Sequence, residues 1–154
     1  MGTGVVRIVG FGRPDRSDLA SAVLSAAAGF GASAVHVSPE GSAGFATMDQ
    51  GTLDWRVALD SAHWLVNSSS TVLEGDAPRG AWGASMAFAE LEGSRSVMVV
   101  GVPESPELLA EAWGSVIERI RQIHLLFFES DALGAIAELE GIEPESLLSS
   151  VRDR

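Results

Sequence analysis

A short glycine-containing segment is the first place in this sequence where chemistry could occur. Gly10-Phe11-Gly12 follows an apolar stretch and precedes a helical pattern, which is the position of a dinucleotide-binding loop. The third glycine of that motif is replaced by Asp15, whose carboxylate would repel a pyrophosphate. The sequence therefore predicts an ordinary strand-to-helix turn and no bound cofactor.

The three histidines lack the spacing of metal ligands. His36 lies in an apolar segment, and His63 follows Asp60 by three residues without a third ligand nearby. His124 lies close to two arginines, which disfavour a cation. We therefore expect core or surface histidines and no metal site.

Catalytic signatures are equally weak. Ser85 has a glycine two residues before it but lacks the glycine two residues after it that a nucleophile elbow needs. Glu90 and Glu92 are expected to face solvent, where paired carboxylates are weak evidence for acid–base catalysis. The sequence contains no cysteine and no lysine, which excludes thiol and Schiff-base chemistry. A Ser–His–Asp arrangement formed only in three dimensions stays open, but the sequence predicts a protein that is not an enzyme.

The elements that would position these residues begin with a strand and a helix. Val5–Phe11 has the β-branched composition of a strand, and the apolar spacing from Asp18 to Phe30 predicts a helix. Ser33–Ser38 and Gly44–Met48 are expected to pair as a hairpin around the turn Pro39-Glu40-Gly41.

The second half of the chain repeats this alternation. Apolar residues spaced three and four apart predict a helix from Asp54 to Val66, capped by Asn67. A second hairpin of Ala84–Leu91 and Ser96–Val102 is expected, with an optional short strand before it. A long helix over Pro106–Phe128 follows.

The expected fold is α+β: a two-layer sandwich of a mainly antiparallel sheet with helices packed on it. The order is β-α-β-β-α-(β)-β-β-α plus short C-terminal helices. Residues 1–128 would form the core, and residues 129–154 an acidic helical extension of the same domain.

Composition limits the classes of partner. The formal charge of −11 argues against nucleic acid and anionic membranes, and no apolar run reaches the roughly 20 residues that a membrane helix needs. The ten cations are all arginines, a bias typical of a GC-rich bacterial genome. We expect a cytoplasmic protein.

Apolar residues outside the predicted core faces suggest a protein interface. They combine two tryptophans with an apolar run too continuous for a helix with one buried side. The residues expected to bind a partner are Trp64, Trp82, Ile123, Leu126, Phe127 and Phe128. The alternative is that the C-terminal tail covers these residues. A homodimer seam would account for both the heptad spacing of the long helix and the excess of apolar residues.

From Leu59 onward the predicted elements resemble the type III secretion chaperone-like superfamily, including YbjN-type proteins. The matching features are the helix ending at Val66-Asn67, the second hairpin and the long closing helix. The order also resembles roadblock/longin-type adaptor domains. Both resemblances imply a homodimeric, non-enzymatic module that binds another protein.

Two other functions remain open. The opening β-α-β-β-α is similar to small-molecule-sensing ACT-like domains, in which a ligand would contact Arg13, Arg16 or the loop near Gly12. An acidic immunity protein that neutralises a basic toxin also fits the charge.

Overall fold

Five parallel strands form one sheet at the centre of the protein. The structure is a computed structural model that describes residues 4–13, 18–37 and 44–154. The strands are β1 (Arg7–Phe11), β2 (Ser33–Val37), β3 (Trp64–Ser68), β4 (Arg95–Val100) and β5 (Ile123–Phe128), in the order β2-β1-β3-β4-β5. All four pairings are parallel, so the α+β expectation of a mainly antiparallel sheet is wrong. The fold is α/β.

Helices supply the crossovers that parallel strands require. They are α1 (Leu19–Gly29), α2 (Trp55–Ala58), α3 (Asp76–Glu92), α4 (Pro106–Glu118), α5 (Ser130–Glu140) and α6 (Pro144–Arg152). Short 3₁₀ turns lie at Phe45–Thr47, Gln50–Thr52, Ser69–Leu73 and Ile120–Gln122. The predicted first strand and first helix are present as β1 and α1.

Both predicted hairpins are wrong. Ser33–Val37 is a strand, but it pairs in parallel with β1, and residues 44–48 hold a 3₁₀ turn. The proposed turn at Pro39-Glu40-Gly41 lies outside the described residues. Ala84–Leu91 belongs to α3, which begins with Asp76 in its first turn and ends at Gly93, whose φ of +77° favours glycine.

Two predicted helices each contain a strand. The segment from Asp54 forms only the short helix α2, and Trp64–Ser68 is the central strand β3. The long helix predicted over Pro106–Phe128 ends at Glu118, and its apolar end is β5. β3 is almost entirely buried, and such strands are apolar without alternation, so their sequence does not separate them from a buried helix. β5 is partly exposed but is also apolar without alternation, and it was misread for the same reason.

The sheet separates two apolar clusters. One face, which carries Phe11, Leu65 and Met98, packs against the side chains of α2 through α6. The opposite face carries Val66, Val97 and Val99 and packs against α1. Among the described residues α1 is therefore the one helix that covers this second face.

Residues 129–154 pack into the same core as the rest of the chain. Ile136 of α5 and Leu147 of α6 are fully buried in the larger cluster. No described helix combines the length and apolar character that a membrane crossing requires.

Candidate site at the carboxyl edge of the sheet

The carboxyl ends of the strands place several polar groups along one edge. The chain passes from β1 to β2 on one side of β1 and then crosses to β3 on the other side, so the strand order reverses direction at β1. In doubly wound α/β sheets ligands bind outside the carboxyl ends of the strands, near such a reversal. The segments that follow each strand are therefore where a ligand would bind.

The loop after β1 is held by a buried carboxylate. Asp18 caps α1 by accepting a hydrogen bond from the Ser21 amide at 3.0 Å, and its side chain is 6% exposed. Gly12 lies so close that an added Cβ would be 2.3 Å from Asp18 Oδ2. A side chain at position 12 would therefore have to displace the Asp18 carboxylate from its capping position.

His36 faces this carboxylate from β2. Burial lowers the pKa of His36, while the Asp18 carboxylate and a backbone hydrogen bond with Gly12 oppose that shift. Burial therefore favours the neutral imidazole, and its hydrogen bond with Gly12 joins the ends of β1 and β2.

Serine residues follow β3. Ser68 accepts a hydrogen bond through its backbone carbonyl from Trp82 Nε1 at 3.1 Å, and its hydroxyl lies 2.8 Å from that of Ser70. The Ser69 hydroxyl accepts a hydrogen bond from the Gly101 amide at 3.2 Å and so joins the ends of β3 and β4. Its own proton remains available to a ligand.

Two buried oxygens close to these serines lack partners. Asn67 Oδ1 and Thr71 Oγ1 form no hydrogen bond among the described residues. An unsatisfied buried polar atom costs about 1–3 kcal/mol, so this segment is more polar than packing alone would favour.

A cavity of about 200 Å³ opens where β3, β4 and β5 end. Its polar side chains are Ser69, Ser70 and Glu129, and Gly101 lies in its wall. The backbone of Glu129 is fixed by its amide, which donates to the Val100 carbonyl at 2.9 Å; Glu129 is the N-cap residue of α5, and it is exposed. The apolar wall consists of Leu19, Leu73, Val102, Pro103 and Ala112.

An ion pair lies farther along the same edge. Arg13 Nε contacts Glu74 Oε1 at 3.2 Å and so links the β1 loop to the residue after the 3₁₀ turn Ser69–Leu73. Because both side chains are partly exposed, the pair contributes little stability. Its position shows that the loop after β1 lies next to the segment that follows β3. Arg16, the other arginine expected to contact a ligand, lies outside the described residues.

The residues predicted to bind a partner do not form one surface. Trp82 is 2% exposed in α3, and Trp64 is half-buried beneath Arg95, whose guanidinium carbon lies 5.7 Å from its ring centroid. Trp82 therefore belongs to the core, and the expectation that it lies outside the core faces is wrong. The other four residues lie on β5, at the sheet edge: Ile123, Leu126 and Phe128 are half-buried and Phe127 is 53% exposed.

The other chemical candidates serve the fold. Arg7 donates its amide to His63 Nδ1 at 3.0 Å, and Ser96 donates its amide to His124 Nδ1 at 3.2 Å. Ser85 is buried and donates to the Trp82 carbonyl. Within the part of the chain that the structure describes, no group of His, Asp and Glu side chains is arranged to hold a metal ion.

Sequence reasoning missed Ser69, Ser70, Gly101 and Glu129. Each directly follows a strand or lies within two residues of its end, so identifying β3, β4 and β5 correctly would have located them. The run Ser68-Ser69-Ser70-Thr71 was the visible signal.

Comparison with known proteins supports the architecture. No protein-family model and no curated protein matches the chain. Among solved structures, 2-dehydro-3-deoxygluconokinase from Thermotoga maritima is similar, with a TM-score of 0.51 and 15% sequence identity. The match covers 85% of this chain and 46% of that one, so this chain spans about half the length of the kinase. At this identity the likeness concerns the fold, which is one that an enzyme uses.

Proposed function

We propose that this protein binds a small, neutral, polyhydroxylated molecule, a monosaccharide or a similar polyol, at the carboxyl edge of its sheet. The observation that carries the proposal is the cavity of about 200 Å³ lined by Ser69, Ser70 and Glu129. Small-molecule sites combine an apolar wall with a few fixed polar groups, and this cavity has both.

The polar groups suit hydroxyl groups as ligands. Ionised Glu129 only accepts hydrogen bonds, whereas serine hydroxyls both donate and accept. A sugar hydroxyl can donate to the carboxylate and accept from a serine.

The charge of the site favours a neutral molecule. Glu129 is the one charged side chain that lines the described cavity, and the whole chain carries −11. An anionic ligand would be repelled, whereas a neutral polyol gains a charge-assisted hydrogen bond.

The kinase comparison agrees with the ligand class only in part. The name of the Thermotoga protein specifies a sugar acid, and this chain matches less than half of that protein. For this chain we propose binding without a chemical step, which keeps the expected non-enzymatic role.

The test is calorimetric titration with neutral monosaccharides (glucose, galactose, mannose and ribose), with gluconate and with 2-dehydro-3-deoxygluconate. We expect at least one neutral sugar to bind more tightly than either acid. Glu129→Gln should weaken neutral-sugar binding by about tenfold or more, because a hydrogen bond to a charged group contributes about 1.5–3 kcal/mol. Glu129→Gln should also reduce the ratio between the Kd of the sugar acids and the Kd of the neutral sugars.

Glu92→Gln is the matched control. Glu92 is exposed at the end of α3, next to the amino end of β4, so its neutralisation changes net charge equally but should leave affinity unchanged. Heat of binding for the acids alone, or an equal effect of both substitutions, would refute the proposed ligand class.

The chaperone-like or adaptor-like role expected from the sequence stays a prediction, as do its YbjN-type resemblance and the immunity-protein alternative. The observation that favours a protein contact is the exposed apolar surface of β5, which concerns a different part of the molecule.

A further inference from the structure

The outer edge of β5 is open and apolar. β5 pairs with β4 and is the last strand in the sheet order. Its six residues, Ile123 to Phe128, include no charged residue apart from the ionisable His124. Natural edge strands are commonly protected by lysine or proline, because unpaired backbone groups are ready to accept another strand.

Both faces of this edge offer apolar contacts. On the face that α1 covers only in part, Leu125 is 42% and Phe127 53% exposed, beside Val97 and Val99 of β4. On the other face a groove of about 400 Å³ lies between β5 and α6. Its lining includes Leu126, Phe128, Leu148 and Arg152. A strand added to β5 would therefore bury apolar side chains above and below the sheet.

We propose that β5 pairs antiparallel with β5 of a second copy of this chain, about a two-fold axis at Leu126, to form a continuous ten-stranded sheet. In this register Phe127 of each copy lies opposite Leu125 of the other, on the same face. Leu126 lies opposite itself on the other face. The most exposed apolar residues of the strand thus cover one another, as an isologous interface requires.

Helix α6 supplies the charge complementarity. Glu145, Leu148 and Arg152 are spaced three and four residues apart and so share one side of the helix. Leu148 and Arg152 of this set line the groove at the edge. In the proposed dimer the two α6 helices run antiparallel across the two-fold axis, with Glu145 of one copy beside Arg152 of the other.

The present partner of Arg152 does not compete strongly with this arrangement. Its Nε lies 3.2 Å from the carboxylate of Asp153, its neighbour in the chain, and both side chains are largely exposed. Exposed pairs of this kind are weak and rearrange readily. Leu148 meets Leu148 of the second copy, so the helix contact is self-complementary in both charge and apolarity.

The first test is sedimentation equilibrium of the full chain over a wide range of concentration. We expect a reversible dimer, and Phe127→Asp should raise its dissociation constant by about 100-fold, because a carboxylate would be buried against leucine. Phe30→Asp is the matched control: Phe30 is 94% exposed after α1, so its replacement should leave the dimer unchanged. A chain that is monomeric throughout, or a dimer insensitive to Phe127→Asp, overturns the proposal.

A charge exchange tests the orientation. Glu145→Arg or Arg152→Glu alone should weaken the dimer by about tenfold, because each creates two like-charge contacts per dimer. The double variant should restore wild-type association. Glu145 and Arg152 are both exposed, so thermal melting of all three variants is expected to remain near wild type. Failure of the double variant to restore the dimer would contradict the antiparallel arrangement.

Discussion

Replacing Gly101 by alanine perturbs the proposed site with little effect on the fold. An added Cβ would be 2.7 Å from Glu129 Oε1 and 2.8 Å from Leu19 Cδ1, so both side chains must move. Each atom is the far end of a flexible side chain, and both side chains line the cavity. The substitution therefore displaces the carboxylate that is proposed to bind the sugar hydroxyl.

Gly101→Ala is expected to weaken sugar binding while leaving the protein folded. Loss of a hydrogen bond to a charged group, about 1.5–3 kcal/mol, corresponds to about a 10–150-fold rise in Kd. Moving two side chains costs about 0.5–1.5 kcal/mol each, and the lower chain entropy of alanine offsets about 0.4–1 kcal/mol of this. The free energy of unfolding should therefore fall by at most about 2.6 kcal/mol relative to wild type.

The assay is calorimetric titration with the neutral monosaccharide that binds wild type best, beside thermal unfolding of each variant. Gly134→Ala is the control, because nothing lies within 4 Å of a Cβ added at that position in α5. It should bind as wild type does and be slightly more stable, since glycine weakens a helix. Unchanged affinity of Gly101→Ala would refute the assignment of this cavity as the binding site.

Three further predictions concern stability. Because the pKa of His36 is lowered in the folded protein, the unfolded chain binds the proton at higher pH, so stability should fall as pH decreases below the ordinary histidine pKa of 6.5. Thermal melts of wild type and His36→Gln between neutral and mildly acidic pH check this, and an equal pH dependence of both would contradict it. Trp82→Phe should destabilise by about 2–4 kcal/mol, measured by urea unfolding, because it leaves a cavity and an unpaired Ser68 carbonyl. Leu147→Ala should destabilise by about 2–5 kcal/mol in the same assay, whereas exposed Leu139→Ala should change stability by less than about 1 kcal/mol. Equal effects of these two leucine substitutions would mean that α6 does not share the core.

The sequence predicted the elements with strong local signals. The strand at β1 and the serine–proline start of α4 are set by nearby residues, and both lie where they were expected. Ser105 caps α4 by accepting from the Leu108 amide at 3.3 Å. Capping depends on contacts three residues apart, which a sequence displays directly.

The errors arose where tertiary packing decides the structure. Gly80 and Gly83 disfavour a helix locally, yet both lie in α3, where the Gly83 carbonyl accepts a hydrogen bond from Arg119 and a Cβ at Gly83 would meet that guanidinium at 2.7 Å. The apolar runs of β3 and β5 fit helical spacing by chance. Antiparallel pairing was then inferred from turn-like residues such as Gly93, which instead ends a helix.

The candidate site was missed because of these errors in the strands. Ser69, Gly101 and Glu129 come together only because three parallel strands end at the same edge, a relation that no local spacing reveals. The partner-binding prediction did locate an unusual segment, because the run from Ile123 is too apolar for a helix with one buried side. Its physical cause is an edge strand.

The most direct test of the central proposal is an amide-proton NMR titration of the full chain with the tightest-binding neutral monosaccharide. The largest shift changes are predicted at Ser69, Ser70, Gly101 and Glu129, whose backbone groups line or adjoin the cavity. Saturable changes confined to these amides would support a polyol site at the carboxyl edge. Changes elsewhere, or none at a saturating sugar concentration, would contradict it.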